Sequence, residues 1–112
     1  MLIYKIFRIR EWDELRETGT TKGAPIDLAD GYIHFSTGAQ VVETCRRHFA
    51  SEDDLILAVL DTEDFGAYLK WDVSRGGVKF PHLYRSLRLE DVMWHTELPL
   101  GSDGHIFPEG VE

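Results

Sequence analysis

Only one cysteine, Cys45, occurs in 112 residues, so no internal disulfide can form and no cysteine pair is available for a zinc knuckle or a redox motif. Basic residues are also scarce: 12 Lys and Arg stand against 20 Asp and Glu, a formal charge of −8. A nucleic-acid duplex is gripped by clustered Lys and Arg, and a field of this sign repels such a polyanion. A small anion in a local pocket is not excluded. Long apolar runs are missing too. The first run, residues 2–7, is interrupted by Lys5 and followed by Arg8, too short for a secretory core. No run approaches the length of a membrane span. These absences point to a cytoplasmic chain that binds neither duplex nor membrane. No two of the five histidines stand at close metal-ligand spacing, which gives no metal site. P-loop, G-x-G-x-x-G and G-x-S-x-G motifs are absent as well.

What is present suffices for one core. Hydrophobic residues make up 43% of the chain, with three Trp, four Tyr and six Phe. The length leaves no room for a second domain. Residues 1–100 read as that domain, and 101–112, rich in Gly and acid, as a flexible tail. Strand-like runs cover residues 2–7, 32–35, 68–73, 78–84 and 92–98. Residues 55–60 (LILAVL) are a continuous apolar run, the mark of a central strand buried on both faces. Residues 11–18 read as a short helix that buries Trp12 and Leu15. Residues 38–50 read as a second helix, with Val42, Cys45 and Phe49 on one side and Val41 flanking. Residues 19–25 read as a loop. Two main helices gathered early, with strands after them, argue an α+β fold.

Side chains alternate along a strand. If Ile33 and Phe35 face the core, then Tyr32, His34 and Ser36 share the opposite face. In residues 68–73, Leu69, Trp71 and Val73 form the expected core face, and Tyr68, Lys70 and Asp72 the other. His34 and Asp72 could then converge in one cleft. Each has a plainer reading, His34 as a buried histidine bonded to backbone and Asp72 as part of a solvated face with Lys70. Thr37 and Gln40 read first as a capping box at a helix start, with ligand binding as the other reading. Pro81 favours an edge or loop position for its segment, and His82 there either reaches a cleft or bonds a nearby carbonyl. Cys45 reads as core packing.

Several stretches together carry a resemblance: Ile3-Tyr4-Lys5-Ile6, Trp12, residues 30–37 (DGYIHFST) with Gln40, residues 69–72 (LKWD) and residues 80–84 (FPHLY). Over about residues 2–98 the pattern resembles the bacterial DUF952 family. That resemblance implies a fold similar to ADP-ribosyltransferases, a split pair of small sheets around an NAD-binding cleft. Residues 32–36 with the following helix also resemble part of the RNA 2′-phosphotransferases. The implied cofactor is NAD, or a related small-molecule nucleotide such as ADP-ribose. The implied catalytic residues are His34 and Asp72, with Asp72 facing the cation that develops as the glycosidic bond breaks. Tyr32, Ser36, Thr37, Gln40, His82 and Tyr84 are the implied ligand-binding residues, and weak transferase or glycohydrolase activity the implied chemistry. The usual catalytic Glu has no counterpart here, and position 70 is Lys. A non-catalytic small-ligand or protein-interaction module on the same fold is therefore the rival expectation.

Overall fold

The computed structural model describes residues 1–111. Strand β1 (Leu2–Arg8) leads into helix α1 (Ile9–Thr18), strand β2 (Thr20–Thr21) and a six-residue helix α2 (Pro25–Asp30). Two very short strands, β3 (Ile33–His34) and β4 (Ser36–Thr37), precede helix α3 (Gly38–His48) and strand β5 (Leu55–Asp61). Then come β6 (Leu69–Val73), β7 (Lys79–Leu83), β8 (Leu87–Arg88), β9 (Trp94–Leu98), β10 (Leu100–Gly101) and β11 (Gly104–His105). Three α-helices on antiparallel sheets make an α+β fold, the class that the element order predicts. No helix among the described residues is long and apolar enough to cross a membrane.

The four-stranded sheet, ordered β4-β1-β5-β9, is the central layer. Residues 55–60 are all buried, as a run without polar alternation requires. Ile56, Ala58 and Leu60 join Trp12 and Leu15 of α1 on one face, while Leu55, Leu57 and Val59 join Val41 and Cys45 of α3 on the other. The expected stripe of α3 is turned slightly: Val41 and Cys45 are buried, with Val42 and Phe49 packed beside them. Burial pushes the Cys45 thiol up to about 11, followed by the nearby Glu52 charge, in keeping with packing rather than nucleophilic work.

A three-stranded sheet, β3-β7-β6, lies against the first face, where Ile33, Phe35 and Leu83 enter the Trp12 cluster. The chain crosses between the two sheets at Phe35. Ile33 and His34 pair with Leu83 and His82 of β7, whereas Ser36 and Thr37 pair with Tyr4 and Ile3 of β1. The single strand expected over residues 32–35 is thus split between two sheets. Phe35 is the pivot, its N–H donating to the Pro81 carbonyl at 3.0 Å and its ring packed near Phe65.

Other expectations need correction. The loop read over residues 19–25 contains β2, and helix α2, which no apolar period announces, starts at its end. Pro25 opens that helix where a missing N–H does no harm. Trp71 and Val73 do not face the core. They are 38% and 65% exposed, because β6 is an edge strand and only Leu69 reaches the main cluster. The segment read as a loose tail makes contacts of its own. His105 Nε2–H donates to the Glu52 carbonyl at 2.6 Å, its Nδ1 lies 3.3 Å from Cys45 Sγ, and Phe107 and Val111 pack on the α3 side.

Leu57 is fully buried between β1 and α3, so Leu57→Ala should destabilise the fold by roughly 2–5 kcal/mol through the cavity it leaves. Denaturant titration reads this directly. A loss under about 1 kcal/mol would show that the site collapses or is not core.

Candidate functional site

Strand β4 is so short that it pairs with β1 only at Ile3 and Tyr4. From Lys5 onward that flank of β1 has no strand beside it, and a cleft of about 410 Å³ occupies the space. Small-molecule sites commonly span about 300–1,000 Å³. The cleft is walled by β1, the start of α2, the β3–β4 crossing, one face of α3 and the β6–β7 hairpin.

Its floor is a buried ionic network that the sequence reading did not name. Lys5 is 7% exposed although charged, and its Nζ donates to Asp27 Oδ2 at 3.1 Å and to the His34 carbonyl at 3.2 Å. Asp27, 1% exposed, also accepts from the Ala24 N–H at 2.7 Å and the His34 N–H at 3.0 Å. His34 Nδ1 completes the set, 2.6 Å from Asp27 Oδ1. Burial alone would push the Asp27 carboxyl up. The bond from His34, the Lys5 charge and the backbone donors outweigh it and hold the group at about 2. Gly23 leaves room for this carboxylate: a Cβ there would overlap it, and the φ of +107° suits only glycine.

A second Asp–His pair lies one strand away. His82 Nδ1 is 2.9 Å from Asp72 Oδ2, and the Tyr84 hydroxyl donates to the same oxygen at 2.5 Å. The Tyr84 and His82 bonds, in that order, hold the Asp72 carboxyl below its ordinary value, and the contact pushes Tyr84 up to about 12. Tyr32 stacks on the His82 ring at 4.2 Å between centroids. His82 is 1% exposed, it lines the cleft, and its Nε2 is buried with no hydrogen-bond partner among the described residues. The Asp72 carboxylate accepts from the Nδ1–H, so the described residues give Nε2 no partner.

The predicted residues therefore divide. His34, Ser36 and His82 line the cleft. Yet both ring nitrogens of His34 are engaged, Nδ1 by Asp27 and Nε2 by Asp30 at 3.0 Å, so the ring works as a strut. Asp72 stands behind His82 instead of on the cleft wall. Tyr32 and Tyr84 line a separate hollow beside Lys22 and Arg85. Thr37 and Gln40 form the capping box: the Thr37 N–H donates to Gln40 Oε1 at 3.0 Å, and Gln40 Nε2 reaches the Lys79 carbonyl. The missed residues are Lys5, Asp27, Thr44, His48 and Arg75. Lys5 had a signal, a lone charge inside an apolar strand. So did Asp27, an acid two residues after Pro25 where the first turn of a helix favours one. Thr44, His48 and Arg75 had none. Among the described residues no group of three or more His, Cys, Asp or Glu is placed to hold a metal ion.

A family model described as protein of unknown function (DUF952) matches residues 6–95. The crystal structure of protein CC0527 from Caulobacter crescentus is similar, at 44% identity, a TM-score of 0.89, and coverage of 94% of this chain and 92% of that one. The solution NMR structure of CC0527 from the same organism, also 44% identical, gives a TM-score of 0.84 over 93% and 90% of the two chains. No curated protein matches the sequence.

Asp27→Asn should cost roughly 3–5 kcal/mol, because Lys5 would stay buried without its counter-charge. The sign of the pH dependence follows from the depressed carboxyl. Its stabilisation is complete above 3.8, the unfolded value, and is lost as pH falls through about 2. Acid titration of stability should therefore be flatter in Asp27→Asn than in the wild type across that window. Parallel acid limbs in the two proteins would show that Asp27 carries no such linkage.

Proposed function

We propose a function for this chain from the premise that it belongs to the DUF952 family: its cleft binds a nucleotide-type ligand such as NAD, ADP-ribose or a simpler nucleotide. The observation that carries the reading is the bare Nε2 of His82. A buried acceptor without a partner is costly unless a ligand donor completes it. A ribose hydroxyl is such a donor. Around it the cleft gathers Lys5, Arg8 and Arg75 against two acids, Glu11 and Asp27, in a chain of net charge −8. That local bias suits phosphate oxygens. Tyr4, Phe49 and Phe80 add ring surface on the same walls. Two antiparallel sheets, with the cleft beside the β3–β4 crossing, support the finer reading of the fold as ADP-ribosyltransferase-like.

On this reading His82 Nε2 bonds the ligand, and Asp72, through Nδ1, acts as a positioning residue. A second reading, binding without glycosidic cleavage, has its own support. Asp27 is saturated by its donors and Glu11 is taken by the Arg8 N–H, so neither acid of the cleft is free to face a developing cation.

A thermal-shift series with NAD, ADP-ribose, AMP and ribose 5-phosphate tests the shared claim. A true ligand at a hundred times its dissociation constant should add about 2.7 kcal/mol of stability. His82→Gln should weaken that ligand roughly tenfold, the scale of one lost hydrogen bond. A flat series with every compound would sink the nucleotide reading. Chromatography for released nicotinamide then separates turnover from binding alone.

A further inference from the structure

Of the three Lys and Arg side chains that line the cleft, two are already neutralised. Lys5 is paired with Asp27, and Arg8 is gripped by Glu52 through Nε at 2.9 Å and Nη2 at 3.2 Å. Arg75 has no carboxylate within ion-pair distance among the described residues. It is nevertheless held in place. Its guanidinium lies over the Phe80 ring at 5.0 Å, and Nη2 donates to Thr44 Oγ1 at 3.3 Å. The β6–β7 turn that carries it bends at Gly76, where φ is +69°.

Three neutral groups stand around that cation. Ser36 Oγ and Thr44 Oγ1 are 3.0 Å apart, and their mutual bond uses one of their two hydroxyl protons. The other proton remains for an outside acceptor. His48 follows Thr44 by one helical turn, so both project from the same face of α3 into the cleft. His48 keeps an exposed surface, and partial desolvation, then the nearby Arg75, hold it below its ordinary value.

We propose that Arg75, Thr44, Ser36 and His48 form a phosphate subsite, so that the natural ligand is a phosphate ester and not a neutral nucleoside or sugar. The proposal rests on the cleft reading above and assigns its anionic end. An arginine fork alone satisfies the two oxygens of a carboxylate. A phosphate group has a third free oxygen, and here a hydroxyl and an imidazole stand ready for it. The stacked, planar guanidinium also favours a bidentate anion over a point charge.

The test is NMR titration of the ¹⁵N-labelled chain at fixed ionic strength with inorganic phosphate, AMP and adenosine. Inorganic phosphate and AMP should shift the Arg75 Nε–H and the amides of Thr44 and His48 along saturable curves. Adenosine should bind at least about tenfold more weakly than AMP. Arg75→Lys keeps the charge but loses the fork, and should weaken AMP by about tenfold while leaving adenosine unchanged. Thr44→Val, near in shape, should also weaken AMP and spare adenosine. Amide spectra that superimpose away from the cleft show that both variants are folded. Equal affinity for AMP and adenosine, with shifts inside the cleft, overturns the subsite and leaves the cleft reading standing. Phosphate shifts scattered over surface lysines overturn it in the same way. No cleft shifts with any of the three probes overturns both.

Discussion

Lys5 carries a positive charge into the seam between the two sheets, and the Asp27 carboxylate that meets it there is bonded to three separate pieces of chain. Such a pair is weak as a source of net stability, because taking both charges out of water offsets most of their attraction. Its effect is on placement. A six-residue helix has no stability of its own, so α2 keeps its position through contacts of this kind. The same carboxylate fixes the backbone of His34, one residue before the chain leaves one sheet for the other. The crossing at Phe35, the short β4 and the open flank of β1 all lie within reach of that anchor.

The two Asp–His pairs show how similar residues come to different uses. His34 sits between Asp27 and Asp30, and neither ring nitrogen is left for a ligand. His82 has one carboxylate neighbour, and its other nitrogen is buried without a hydrogen-bond partner among the described residues. They are cross-strand partners in the β3–β7 ladder, with ring centroids 5.1 Å apart. The difference comes from what lies beyond each ring. α2 folds over His34 and brings two acids with it, while Tyr32 covers a face of His82 and brings none. Rigidity and chemical availability are thereby assigned to adjacent residues.

Alternation is local, so it made legible that Lys70 and Asp72 share a face, but the triplet expected at Tyr32, His34 and Ser36 is divided, because Ser36 pairs with β1 in the other sheet. Lys70, Asp72, His82 and Tyr84 meet there, with Lys70 Nζ over the Tyr84 ring. What alternation could not show is which of them reaches the cleft. Asp72 reads from its strand as an exposed acid free to act, and in the fold its charge is turned toward His82 and Tyr84. Trp71 shows the opposite failure. Its pattern is that of a core face, yet an edge strand beyond the reach of the central sheet has nothing to bury it.

Composition and period by themselves determined the α+β class, the doubly buried β5, the helix faces of α1 and α3 and the capping box at Thr37 and Gln40. Each depends on neighbours within a few residues, or on an apolar run long enough to demand burial from both sides. Tertiary structure alone decided that Lys5 and Asp27, 22 positions apart, would neutralise each other. It alone brought Arg75 to Thr44 across 31 positions and left it, among the described residues, without a carboxylate. Whether a charged or titratable group is spent on the fold or left for a ligand depends on which distant groups the folded chain packs against it. No local pattern carries that information, because the pairing energy exists only once the two sheets have closed around it.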